Sequence, residues 1–173
     1  MKNMVRYCLL SCLLLITINC LGQLSKDTST SNGMSPLKSM DYEQYKAYTN
    51  GVDINNMGLV AELNHYPSPQ KVIDLQKELN LTTEQSTKIN AINAALKFKL
   101  KEMGGFIIKN EQVLDNLFRT KKLDDGTLIF YATRFGLYQG EMRNAILQAY
   151  LKTRGILTPL QIKKYEVLQK GQH

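Results

Sequence analysis

The chain spells one five-residue pattern twice. Leu81-Thr82-Thr83-Glu84-Gln85 and Leu157-Thr158-Pro159-Leu160-Gln161 both read Leu-Thr-x-x-Gln. A Thr followed three residues later by Gln is the spelling of a capping box. The hydroxyl accepts from a free N–H of the first helical turn, and the amide reaches back to the N–H of the Thr. Thr82 with Gln85 therefore opens one helix, and Thr158 with Gln161 a second. In the second copy Pro159 falls at the first helical position, where its missing N–H costs nothing. Leu157, just before the cap, is placed to staple onto Ile162. One such box marks only a well-made helix start. Two of them, flanking two long helical stretches, constrain the chain to an all-helical fold.

The chain between the boxes obeys that constraint. At about 100° per residue, Ile89, Ile92, Leu96, Leu100, Met103, Ile107, Leu114 and Leu117 share one stripe. The spacing predicts a helix over 83–119, roughly 55 Å long at about 1.5 Å per residue. Gly104-Gly105 interrupts it at a cost of about 1 kcal/mol per glycine, and a bend is expected there. Lys121 to Asp124 reads as a turn, with Asp124 or Asp125 capping a helix over 125–154 that Gly155 ends. Leu128, Ala132, Phe135, Met142, Ile146, Ala149 and Thr153 share one face of that helix, and Ile129, Leu137, Leu147 and Leu151 a second. A helix apolar on two sides is covered on two sides, by a hairpin partner and by a dimer mate or bound client. Phe98, Phe106 and Val113 lie off the core stripe of 83–119, beside Lys99 and Lys109. These five form a candidate client or dimer surface.

Shorter elements precede the first box. Ser39 to Asn50 reads as a helix capped by Ser39, striped by Tyr42, Tyr45 and Tyr48, and stopped at Gly51. Met57 to Leu63 reads as a further turn or two. Asn64-His65-Tyr66-Pro67-Ser68-Pro69 is a connector whose two prolines fix the backbone. Ser68 then caps, with Pro69 first, a helix to about Leu79. The expected architecture is a long antiparallel helical hairpin, with helices 69–79 and 159–169 closing its ends.

A chain of 173 residues has room for one domain and a tail. Residues 1–22 read as a secretory signal: Lys2 and Arg6 precede an apolar run from Leu9 to Ile18, and Cys20-Leu21-Gly22 sets up cleavage before Gln23. The alternative is a lipoprotein anchored through Cys20, against which Asn19 and Thr17 argue. Cys8, Cys12 and Cys20 all lie in this segment, so cleavage leaves no thiol for a disulfide, a zinc site or a nucleophile. Residues 23–38, rich in Ser, Thr, Lys and Asn, read as a disordered tether before a domain at 39–173. The net charge is +7 from 22 bases and 15 acids; without Lys2 and Arg6, 20 bases face the same 15 acids, a net of +5. That balance favours acidic partners moderately.

Little in the sequence suggests catalysis. His65 and His173 are the two histidines, and neither has a second ligand at helical spacing. There is no phosphate-cradling glycine loop, no nucleophile elbow and no catalytic set, so no enzyme, cofactor, nucleic-acid partner or small-molecule substrate is indicated. His65, with Met57 or Glu62, is left as the one weak candidate for a metal.

The motifs in their order resemble the Spy/CpxP-like family of periplasmic Leu-Thr-x-x-Gln proteins. The similarity spans roughly residues 52–168 and is closer to the heavy-metal-resistance branch with CnrX-like and ZraP-like members. That branch often carries Asn-x-Tyr-Pro-x-Pro before the first motif, here Asn64 to Pro69 followed by Val72-Ile73-Asp74-Leu75. Leu114 to Phe118 and Thr153 to Pro159 also resemble family positions. The resemblance implies a helical hairpin dimerised into a curved cradle. It implies one of three roles: holding unfolded envelope proteins without ATP, binding metal, or damping a membrane stress sensor. Metal-binding relatives often place His-x-x-x-His before the second motif, where this chain has Ile146 and Tyr150, and the His-rich tail of ZraP-like members is missing. The resemblance therefore points first to a periplasmic ATP-independent chaperone or envelope-stress modulator, and second to a metal sensor or resistance protein.

Overall fold

The computed structural model describes residues 33–170; the signal segment, the tether as far as residue 32, Cys20 and His173 lie outside it. The described residues form helices and connecting turns, with no strand. The elements are α1 (Tyr42–Asn50), α2 (Leu59–Leu63), α3 (Pro69–Asp74), α4 (Thr83–Arg119), α5 (Asp125–Ile156) and α6 (Pro159–Lys170). Helices α4 and α5 pack along each other as the expected hairpin.

Side-chain caps set most of these boundaries. The Asp124 carboxylate accepts from the Thr127 N–H at 2.7 Å and opens α5. Ser68 accepts from Lys71 N–H at 3.1 Å with Pro69 first in α3. Gly51 ends α1 in the left-handed region, at φ 69°. Three boundaries differ from expectation. Asp41 rather than Ser39 caps α1, accepting from Gln44 N–H at 2.7 Å, because Met40 before it is buried in a turn bonded back to Leu37. Helix α3 stops at Asp74, and the chain runs on in turns to bury Leu79 before reversing at Asn80, φ 50°. Gly155 does not stop α5. The helix passes through it to Ile156, and Leu157 turns extended so that Thr158 can cap α6.

Two apolar clusters hold the domain. The larger joins Leu100, Met103 and Ile107 of α4 to Tyr138, Met142, Ile146 and Tyr150 of α5, and is covered by Leu37, Met40 and Tyr48. Leu37 falls inside the stretch read as tether, so packing begins earlier than the polar composition suggests. The smaller cluster joins Val72, Leu79, Ile89, Leu157 and Tyr165. It gathers the α3 region, the start of α4 and the start of α6 at one end of the hairpin. The two short helices thus close the same end rather than one each. At the other end Phe118, Ile129 and Phe130 remain exposed.

Helix α4 runs unbroken through Gly104-Gly105. Gly104 is there for close approach: a Cβ on it would lie 2.4 Å from the Tyr48 carbonyl oxygen, so the end of α1 rests on the α4 backbone. Gly105 faces open space. The two glycines should therefore separate cleanly under substitution. Gly105→Ala is expected to stabilise the domain by roughly 0.5–1 kcal/mol through helix propensity. Gly104→Ala is expected to destabilise it, because backbone must shift. Thermal melts of both variants check this, and equal effects would contradict it.

Candidate functional site

The two Leu-Thr-x-x-Gln motifs meet. In the first, the Gln85 N–H donates to Thr82 Oγ1 at 3.1 Å, and the Thr82 N–H donates to Gln85 Oε1 at 3.1 Å. In the second, the Gln161 N–H donates to Thr158 Oγ1 at 3.3 Å, and the Thr158 N–H donates to Gln161 Oε1 at 2.9 Å. Each amide nitrogen then reaches across to the other motif. Gln85 Nε2 donates to Gln161 Oε1 at 2.9 Å, and Gln161 Nε2 returns a bond to Gln85 Oε1 at 3.0 Å. The remaining hydrogens go to the carbonyl of Ile156 at 3.0 Å and that of Leu79 at 3.2 Å. Leu157 is buried and Leu81 half-buried against the cluster below, with Ile162 packed beside them. Leu81, Thr82, Gln85, Leu157, Thr158 and Gln161 thus form one clasp joining residues 76 apart.

The hairpin has one face under α1 and another left open. On the open face two clefts lie between α4 and α5. The first, about 300 Å³, is lined by Phe106, Lys109, Asn110 and Val113 of α4 and by Tyr131, Arg134 and Tyr138 of α5. The second, about 380 Å³, is lined by four alanines (Ala91, Ala95, Ala145 and Ala149) together with Ile92, Leu96 and Gln148, with Lys99 and Lys152 among its walls. Of the candidate surface residues, Phe106, Lys109 and Val113 come together in the first cleft and Lys99 enters the second. Phe98 lines neither and is 70% exposed.

Side chains on α5 give the first cleft its character. The Phe106 and Tyr138 rings stack at 5.3 Å. The Arg134 guanidinium lies 5.0 Å from the centroid of Phe130 and 5.5 Å from that of Tyr138, and its Nε donates to Tyr138 Oη at 2.9 Å. Stacking and the hydrogen bond hold the cation in place. Lys109, Arg134 and Lys152 make no ion pair among the described residues, while Lys99 pairs with Glu102 at 3.0 Å on the surface. Asn110 is buried; its amide nitrogen donates to the Tyr131 carbonyl at 3.1 Å, while its Oδ1 accepts no bond. Sequence reading found only the α4 half of this site. Arg134 and Tyr138, four residues apart, share a helix face and would emerge from projecting the polar side of α5.

Ile146 and Tyr150 are core residues. Tyr150 Oη donates to Glu62 Oε1 at 2.6 Å, and burial together with that carboxylate pushes the phenol pKa up. Glu62 also pairs with Lys71 at 3.2 Å. His65 is exposed on a left-handed turn, φ 60°. No cluster of three His, Cys, Asp or Glu side chains suited to a metal occurs among the described residues, and no helix among them is long and apolar enough to cross a membrane.

No family model, curated protein or solved structure matches the chain.

The clasp makes a quantitative expectation. Gln161→Ala takes one partner from the half-buried Gln85 amide and another from the exposed Thr158 N–H, and losing a helix cap and its cross-link in this way costs about 1 kcal/mol. Gln85→Ala should cost a similar amount. The double variant should cost less than the two singles together, since the second loss removes a partner already alone. Urea melts of the four proteins measure this, and strict additivity would mean that the two motifs act as separate caps.

Proposed function

We propose that this chain is a periplasmic, ATP-independent chaperone or envelope-stress modulator of the Spy/CpxP type, acting by holding partly unfolded segments rather than by catalysis. The observation that supports it is the open face of the hairpin. Exposed apolar surface rimmed by polar groups marks binding, and here exposed Phe106 and half-buried Val113, lying against the buried Tyr138 ring, stand beside Lys109 and Arg134. Paired clefts of this kind suit apolar and acidic side chains of an extended chain better than one rigid small molecule. The Spy/CpxP resemblance and the signal-like first 22 residues agree with export to the periplasm, and a homodimer fits the exposed Ile129, Leu137 and Leu151 on the second side of α5. A membrane stress sensor would be read through the same surface.

The alternative, a metal sensor or resistance protein of the CnrX/ZraP type, has less support. It would need ligands where Ile146 and Tyr150 are packed in the core and where Glu62 is already bonded.

The test is suppression of aggregation of a chemically reduced client, without ATP, with and without zinc. The parent is expected to suppress at a few-fold excess, independently of zinc. Phe106→Asp, placing a carboxylate in the first cleft, is expected to lose most of that activity while keeping its helical melt. No suppression by the parent would remove the chaperone reading, and suppression only with zinc would restore the metal one.

A further inference from the structure

The two clefts repeat at a fixed distance. Along α4 the first is built from residues 106–113 and the second from 91–99; along α5 they are built from 131–138 and 145–152. On either helix the centres are about fourteen residues apart, or about 21 Å at 1.5 Å per residue. Both clefts combine apolar lining with cations, Lys109 and Arg134 in one, Lys99 and Lys152 in the other. No acidic side chain lines either of them. The Lys99–Glu102 pair is exposed and exchanges readily for another carboxylate. Each cleft is thus complementary to an apolar side chain with a carboxylate beside it.

An extended strand rises about 3.3 Å per residue and turns alternate side chains to one face, so about 21 Å is covered by about six residues with the same face down. We propose that the open face reads spacing: it binds an extended, acidic client segment through two acid–apolar pairs set six residues apart, one in each cleft. This rests on the chaperone reading above and specifies which segments it prefers. Linking the two contacts in one strand makes the second effectively intramolecular, and binding then exceeds that of either pair alone. Arg134 is the anchoring cation, being already oriented by Phe130 and Tyr138. Spacings of three or four residues place both pairs over one cleft and gain nothing from the other.

The experiment uses fluorescein-labelled, end-capped peptides in a soluble Gly/Ser-rich background, titrated with the purified protein by anisotropy. One peptide carries a single Asp-x-Phe pair, one carries two pairs four residues apart, and one carries two pairs six apart, so that all paired side chains share one face. A fourth repeats the last with Asn in place of Asp. The six-spaced acid peptide is expected to bind at least tenfold tighter than the other three. Arg134→Gln and Lys152→Gln, both at exposed positions, are each expected to bring it to the single-pair level while the variant remains a folded helical protein by circular dichroism. Equal affinity at both spacings, equal affinity of the Asn peptide, or no binding of the six-spaced peptide would overturn the proposal. Aggregation suppression that persists beside any of these results would leave the chaperone reading standing and remove only the spacing rule.

Discussion

The structure turns on a pair of side-chain amides. Gln85 and Gln161 each close the cap of their own helix with the oxygen and bind the opposite motif with the nitrogen. Only an amide can do both. A glutamate would complete a capping box equally well, yet it has no proton to give across the gap, and two of them would repel. That chemistry accounts for Gln rather than Glu at both positions. Through the remaining N–H groups the clasp also satisfies the carbonyls of Leu79 and Ile156, where α5 ends and the chain reverses into α4. Four chain segments are therefore fixed at one point above the cluster of Val72, Leu79, Ile89, Leu157 and Tyr165.

Tying one end decides what the rest can offer. With the short helices α3 and α6 gathered at the clasp, neither covers the body of the hairpin. Helix α1 covers one side of it, seated on the bare backbone at Gly104, and the other side stays open. On that open side the floor is small or aromatic and the rim cationic. The chain's excess of bases over acids is thus partly concentrated where apolar surface is also exposed. Charge beside an apolar contact steers an oppositely charged partner toward it.

Much of the architecture was legible because helix boundaries are local chemistry. Thr82 with Gln85, Ser68 with Pro69, Asp124 and Gly51 each carry their boundary in a few adjacent residues, and the stripe from Ile89 to Leu117 carries the hairpin. Contacts between distant residues were not legible. Gly104 and Gly105 look identical in the chain, and only the arrival of Tyr48 separates a packing contact from a surface position. The polar run before residue 39 concealed Leu37, whose burial depends on the larger cluster. The glutamines were read as caps, correctly, but nothing local shows that two caps share their amides. Half of the candidate surface was missed for the same reason: Arg134 and Tyr138 matter only once α5 lies against Phe106 and Lys109.

The proposed function places the client on the open α4–α5 face rather than on the α1 side. Photo-cross-linking tests it directly, with the reactive side chain introduced singly at Lys109 or Gln148 on the open face and at Gln44 or Glu111 beside α1. With an unfolding client present, the account predicts strong adducts from positions 109 and 148 and little from 44 and 111. Equal labelling at all four, or labelling concentrated at 44 and 111, would contradict it.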